Sequence, residues 1–274
     1  MRFLRKRAYD RRSSKKPLRP SEYRWRTDFN MRRLMNMIIL KSRGVVIVSY
    51  PRSGRTWLFL MLHELSIGPR FSHGGQKRLH LGKPEPVCNI TPDYQKNRVL
   101  FMLRDPRDLI VSHYHARVRK GKWNGDLASF VRDPFYGIER ILAFNLGWLR
   151  ARDQFNDFAT LRYEDLRRNT EAELVRIIGF LGCRIPKPKA VASAVAGLAF
   201  ERMRQREQSG ELYARYGPIF SAGSESDNGM AIRRGVIGSH VEEMAAADRE
   251  FCEELLQRYD YFATVNRLIG GQAA

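Results

Sequence analysis

The chain has 274 residues, 43% of them hydrophobic and 11% aromatic, enough for one large α/β domain and too few for two. Its 49 Lys/Arg against 29 Asp/Glu give a net charge of +20, but residues 1–33 alone hold thirteen Lys/Arg and three Asp/Glu, half of the excess, which weakens a nucleic-acid reading of the whole. The longest apolar runs, Leu34–Leu40 and Val191–Phe200, fall short of the roughly 18 residues of a membrane span, and the N-terminus has no apolar signal core, so a membrane-spanning chain is excluded and a cytoplasmic one expected.

Residues 1–40 read as a basic N-terminal extension, partly disordered, suited to weak, salt-dependent contact with an anionic membrane surface or nucleic acid. A single folded domain is expected over 41–274. Its three cysteines, Cys88, Cys183 and Cys252, lack a C-x-x-C spacing and a histidine partner at metal-ligand spacing, and read as reduced thiols. Gly44–Tyr50 is a β-branched run between Gly44 and Pro51 and predicts a buried strand. Thr56–Leu65 is apolar all round and predicts a buried helix.

Phe71–Asn97 is long and polar, of the kind that forms lids or substrate walls. Arg98–Arg104 predicts a second strand, and Asp105-Pro106 an N-cap with proline at the first helical position, opening a helix to about Val118. Ile138–Arg152 predicts a helix and Phe158–Tyr163 a third strand. Thr170 through Glu173 matches a capping box before a helix that Gly182 stops. Gln205–Ile232 reads as a second long polar segment and Glu242–Tyr259 as a last helix. Strands alternating with helices predict an α/β fold, a central mostly parallel sheet flanked by helices on both faces.

Ser49 to Trp57, SYPRSGRTW, follows the first strand. It fails the Walker A pattern at Ser49 and Arg55, where glycine and lysine would stand. A strand, a turn at Gly54 and a helix from about Thr56 nevertheless aim first-turn N–H groups and the helix dipole at the loop, which favours an anion. Arg52, Ser53, Arg55 and Thr56 add donors for phosphate oxygens. Arg104 ends the second strand on the sheet edge that binds ligands in open α/β folds, with Ser112 two helical turns on. Arg233-Arg234-Gly235 makes a further basic turn.

YPRSGRTWL, RDPRDLIVSHYH, LRYEDL with a helix ending in FLG, and RRGVIG stand in the order and spacing of the sulfotransferases that use 3′-phosphoadenosine 5′-phosphosulfate (PAPS); the chain resembles that family over about residues 43–260. The resemblance implies the P-loop-NTPase-like sulfotransferase architecture, PAPS as co-substrate with PAP as product, and no metal requirement. It puts Arg52 at the bridging oxygen of the donor, and Ser53, Gly54, Arg55 and Thr56 around the 5′-phosphate. Trp57 and Phe200 would face the adenine, Tyr163 would approach the adenosine, and Arg104, Ser112, Arg233, Arg234 and Gly235 would hold the 3′-phosphate.

Transfer to an acceptor hydroxyl, or an amine, requires removal of a proton, for which histidine is suited near neutral pH. His80, 24 residues before Arg104, stands close to the family's base position; His73 or a carboxylate such as Glu85 are the alternatives. His63 reads as a satisfied core histidine, His113 and His115 as packing or surface residues, with His115 also a candidate for the acceptor wall. The basic surface favours an anionic acceptor such as a glycan or glycolipid, with Trp123, Trp148 and Tyr213 as candidates to line it. Arg55 in place of a small hydroxyl residue, and Gly238-Ser239-His240 in place of Gly-Asp-Trp, depart from the family pattern. A P-loop-like nucleotide kinase, with Asp105 as its acid, and a PAP(S)-binding protein without activity remain as alternatives.

Overall fold

The computed structural model describes residues 40–74, 92–217, 219–222 and 230–270; His80 and the expected N-terminal extension up to residue 39 lie outside them. Four strands, β1 (Leu40–Ser49), β2 (Ile67–Ser72), β3 (Arg98–Leu103) and β4 (Asp157–Arg162), form one sheet in the order β2-β1-β3-β4. Every pairing is parallel. The chain leaves β1 to one side for β2 and returns on the other for β3, so the strand order reverses beside β1. Open α/β sheets bind their ligands at such a point, outside the C-terminal strand ends.

Among the helices are α1 (Arg55–Glu64), α2 (Pro106–Arg119), α3 (Ile138–Arg150), α4 (Thr170–Phe180), α5 (Phe200–Gln208), α6 (Ala246–Arg258) and α7 (Tyr261–Gly270). They cover both faces of the sheet, and the strand sequences show why. Val46 and Val48 of β1, with Val99 and Phe101 of β3, face a core completed by Leu109, Ile110, Phe144, Trp148 and Leu255. Val45 and Ile47, with Leu100 and Met102, face the opposite core of Leu58, Leu62, Leu174, Ile178 and Leu212. Successive strand side chains point to opposite faces, so a sheet buried on both needs unbroken apolar runs such as VVIV. Each such aliphatic side chain contributes roughly 1.5–3 kcal/mol on burial.

The expected architecture is present, with differences at particular elements. β2 replaces the loop read over Phe71 and its neighbours. Its Pro69 lacks a donor, which an edge strand tolerates. Thr170 is the first residue of α4 and not its cap: Asn169 holds the cap position, and Glu173, the reciprocal acid of the expected box, pairs with Arg176 at 2.7 Å. Within Gln205–Ile232, Glu211–Tyr216 is helical because Leu212 and Tyr216 pack into the second core. The helix expected over Glu242–Tyr259 is two, His240–Glu243 and α6, separated at the extended Met244. Asp105 does cap α2: its Oδ1 accepts from the Arg107 N–H at 2.9 Å, and Pro106 follows. Cys183 and Cys252 are unbridged. Among the described residues no helix is long and apolar enough to cross a membrane.

Candidate active site

The loop after β1 is held by its own backbone and one side chain. Ser53 is buried, and its hydroxyl donates to the Tyr50 carbonyl at 3.0 Å. It therefore ties the loop together and does not line the cavity, where the sequence put it among the anion's donors. Arg52 has a positive φ of 77°, a conformation costing a non-glycine residue about 1–2 kcal/mol. Gly54 caps α1 at φ 92°, and a Cβ there would lie 2.5 Å from the Tyr163 ring. The first intrahelical bonds run from Trp57 and Leu58 to the Gly54 carbonyl, leaving the N–H groups of Arg55 and Thr56 ahead of them without intrahelical partners.

This loop opens on a cavity of about 840 Å³ whose wall includes Arg52, Gly54, Arg55, Thr56 and Trp57 together with Arg104, Ser112, Tyr163, Phe200, Arg233, Arg234 and Gly235. Residues from five separate segments thus meet where the strand order reverses. Arg52 joins three of those segments: its Nε donates to Ser112 Oγ at 3.1 Å, its Nη2 to the Ala231 carbonyl at 2.9 Å, and its own carbonyl accepts from Arg104 Nη1 at 3.3 Å. Burial, and then the repulsion of Arg119 and Arg104, push its guanidinium down to about 10. Arg104 lies over the Tyr163 ring, 4.5 Å from its centroid, and its buried Nε has no hydrogen-bond partner. A buried donor in that state is costly unless an acceptor meets it, and a phosphate oxygen fits the need.

Arg233 and Arg234 reach the cavity from the other side and are already paired. Arg233 forks onto Glu243 at 2.6 and 2.7 Å, and Arg234 reaches Glu242 at 2.6 Å. His115 Nε2 lies 2.8 Å from the same Glu243, which accounts for its absence from the cavity wall. Burial alone would raise the Glu243 carboxyl, but the bonds from His115 and Arg233 outweigh it and hold it at about 2.

Two buried carboxylates that the sequence did not single out fix this segment. Glu207 of α5 accepts from the backbone N–H groups of Ser221 and Ala231 at Oε1, 2.9 and 2.7 Å, and from Ile232 at Oε2, 2.8 Å. Asp108 of α2 accepts from the N–H groups of Gly238 and His240 and from His240 Nδ1 at 2.7, 3.1 and 2.7 Å. Desolvation pushes the Asp108 carboxyl up, yet those bonds prevail and bring it to about 2. The Arg233-Arg234-Gly235 turn is therefore pinned on both flanks by acids. His240, at the departure from the family pattern, is the partner of one of them.

The same cavity wall carries an aromatic group. Trp57 donates its indole N–H to the Leu198 carbonyl at 3.0 Å and packs edge-on to Tyr163. The Arg167 guanidinium lies 5.3 Å from the Trp57 ring centroid and 6.0 Å from that of Phe200, a neighbour not singled out from the sequence although it follows RYEDL directly. Gly235 has φ +63° and approaches Phe200 so closely that a Cβ would sit 2.4 Å from the ring. Only glycine lets the basic turn close on that aromatic face.

His73 is in the cavity wall. Arg55 Nη2 stands 2.5 Å from its Nε2, and its Nδ1 is 3.3 Å from the Ser49 carbonyl. Desolvation and then Arg55 lower it to about 3, so it is neutral and its free nitrogen is engaged. His113 is buried against Tyr50, Phe130 and Tyr136 as a packing residue. His63 packs on Phe59 and Tyr216, but its Nδ1 has no partner, so it is not the satisfied histidine expected. Trp148 stacks on Phe101 and Phe155 inside the core, Trp123 packs on Phe130 and Tyr136, and Tyr213 is exposed on its helix; none of the three lines the cavity. Asp105, the candidate kinase acid, is spent on capping α2 and on its ion pair with Arg107 at 2.7 Å.

The sulfotransferase domain model matches residues 90–265, well over half of the chain. The chain belongs to the sulfotransferase family. This sulfotransferase is 28% identical over 241 residues to human Sulfotransferase 2B1, covering 77% of its own length and 64% of the relative's. It is 24% identical to human Sulfotransferase 2A1 over 265 residues, covering 83% and 87%. Its fold is like that of a mouse sulfotransferase, SULT7A1, solved in complex with PAP, with a TM-score of 0.61 at 15% identity over 90% of this chain and 95% of that one. The matched domain contains Arg104, Ser112, Tyr163, Phe200 and Arg233–Gly235, and leaves the Arg52–Trp57 loop to the sequence pattern and the geometry.

In this sulfotransferase Glu207→Gln should put an amide NH2 against one of the three backbone N–H donors. Chemical denaturation should show a loss of about 1–3 kcal/mol, whereas an unchanged midpoint would mean that the carboxylate does not hold Ser221, Ala231 and Ile232.

Proposed function

We propose that this chain transfers the sulfuryl group of PAPS to the hydroxyl of an acceptor, releasing PAP. The observation carrying this reading is the meeting of the Arg52–Thr56 loop with Arg104, Ser112 and Arg233 on one cavity wall that also carries Trp57 and Phe200. A ligand with phosphates at both ends of an adenosine asks for that combination, and aromatic stacking of a base is worth about 1–3 kcal/mol. The partnerless Arg104 Nε fits a phosphate oxygen. The likeness to a mouse sulfotransferase solved with PAP supports the same donor.

The donor supplies an activated sulfuryl group: a bond forms from the acceptor oxygen to sulfur, and the bond from sulfur to the 5′-phosphate oxygen breaks. In this reading the chain's work is positioning and charge stabilisation. Arg104 and Ser112 take the 3′-phosphate, and Arg233 shares its fork between that phosphate and Glu243. Arg52 has two nitrogens committed, to Ser112 and to Ala231, so it neutralises the leaving oxygen either through its remaining Nη1 or by exchanging Ser112 for the ligand. Arg55, held by His73 and lowered to about 10 by desolvation, stands as a second cation on the same loop. Its guanidinium leans towards His73, so at the 5′-phosphate it offers its backbone N–H and a second-rank charge.

His80 is the proposed base. The engagement of His73 by Arg55, and its low pKa, argue against the nearer histidine. A non-catalytic PAP binder would keep both anion regions and fail only in turnover, so turnover separates the two readings.

Titration with PAP, AMP, ADP and ATP by calorimetry without added Mg²⁺ tests the donor. PAP should be preferred, and Arg104→Ala should weaken it about 10–150-fold, the value of a lost charge-assisted contact; equal binding of ATP would remove the donor assignment. His80→Ala should leave PAP affinity within a few-fold while lowering turnover about 10²-fold or more. Unaltered turnover would take His80 out of the role.

A further inference from the structure

Most basic side chains of this protein that point inward have an acid or an aromatic ring beside them. Arg233 and Arg234 have Glu243 and Glu242, Arg132 has Asp248, Arg107 has Asp105, and Arg117 lies over Tyr136. The end of α2 is different. Arg119, Lys120 and Lys122 all line the cavity, and none makes an ion pair among the described residues. Arg119 has a buried Nε without a hydrogen-bond partner.

The nearest acid acting on Arg119 is Glu207, whose carboxylate already accepts three backbone N–H groups. Lys120 is pushed down to about 8, by desolvation first and then by the repulsion of Arg119, Arg52, Lys122 and Arg117. It is an exposed residue, reached by the water of the cavity, so the repulsion is the lasting part of that effect and the part an anion would relieve. The negative end of the α2 dipole favours cations there, but by only about 0.3–1 kcal/mol, and it does not account for a cluster aimed into the cavity.

Position separates this cluster from the 3′-phosphate region. Lys120 is eight residues beyond Ser112 along the helix, about 12 Å at 1.5 Å per residue. It lies instead within electrostatic reach of Arg52 and His73, at the loop end of the cavity where the reacting group would sit. The occupant must be an anion next to that centre, either the donor's own sulfuryl group or a charge on the acceptor. Arg52, Arg55 and the first turn of α1 already face the donor's phosphosulfate. Three further cations exceed its charge, and the exposure of Lys120 and Lys122 sets them on the open side of the cavity, from which an acceptor enters.

Resting on the sulfuryl-transfer reading, we propose that Arg119, Lys120 and Lys122 form a recognition subsite for an anionic group on the acceptor, so that the acceptors are hydroxyl compounds bearing a carboxylate, sulfate or phosphate. Lys120 is the specificity-determining residue: it lines the cavity, stands exposed at its mouth, and sits between Arg119 and Lys122 in the chain. The subsite makes no bond; it orients the hydroxyl and raises the local concentration of charged acceptors in a salt-dependent way.

The test uses matched acceptors that differ in charge alone: 4-hydroxyphenylacetate against 4-hydroxyphenylacetamide, and methyl glucuronoside against methyl glucoside. Each is titrated into the full-length protein saturated with PAP, and each is assayed as acceptor with PAPS. In at least one pair the anion should bind about tenfold tighter or better. That preference should shrink about tenfold in Lys120→Gln and reverse in Lys120→Glu, with Lys122→Gln giving a smaller loss. Melting curves and PAP affinity of the variants report whether they are folded.

No preference in either pair, including no binding by any member, overturns the proposal while a wild type that binds PAP leaves the donor reading standing. A rise in the KM for PAPS in Lys120→Gln, with the acceptor preference intact, assigns the cluster to the donor's sulfuryl group and overturns it as well. A wild type that does not bind PAP overturns both.

Discussion

The site depends on a buried carboxylate that touches no cavity. Glu207 is fully enclosed, and its two oxygens satisfy three backbone N–H groups on the segment leading to Arg233. A buried charge is tolerable only when it is hydrogen-bonded this completely, and the bonds it makes fix the positions of Ser221, Ala231 and Ile232. Asp108 does the same from the other flank, on a different helix. Between those two anchors the turn carrying Arg233, Arg234 and Gly235 is set against Phe200. The Arg52 side chain then has a defined carbonyl, that of Ala231, to bond.

The second organising constraint is positive charge. The cavity gathers arginines from the loop after β1, from the end of β3, from α2 and from the 233–234 turn, and desolvation, with their mutual repulsion added, lowers Arg52 and Lys120. The fold contains part of that repulsion with Glu242 and Glu243, and part by laying Arg104 over Tyr163 and Arg167 near Trp57. What it leaves uncompensated is directional. It lies at the loop after β1 and at the end of α2.

Much of this was legible in the sequence, for physical reasons that also explain the failures. Unbroken apolar runs such as Val45–Val48 marked the strands buried on both faces, and Asp105-Pro106 marked the start of α2, because those signals are local. Gly54 and Gly235 could be placed at turns, and the positions of Arg104 and Ser112 followed from strand and helix periodicity. Ser53 was harder to read, because a hydroxyl in an anion loop can serve the ligand or the loop, and here the Tyr50 carbonyl lies within its reach. β2 was not expected because Gly68 and Pro69 break its apolar run, and only its edge position makes them acceptable. Thr170 matched a capping box that the neighbouring Arg176 undoes by taking Glu173. Glu207 and Asp108 were invisible, since acids on helices are ordinarily solvated and their partners lie 14 to 132 residues away. Trp148 was a candidate for the acceptor wall by composition, but its ring stacks on Phe101 and Phe155 in the core.

The bond from Arg52 to the Ala231 carbonyl spans 179 residues of chain. Contacts of such separation carry the largest loop-closure cost and form after the local ones that reduce it. β1, α1 and the first sheet pairings can therefore be complete while the cavity is still unformed. Ligand competence is acquired last, in one step, when the 231–240 segment docks. On a ribosome, a chain of this kind would carry a finished sheet well before it carried a working site.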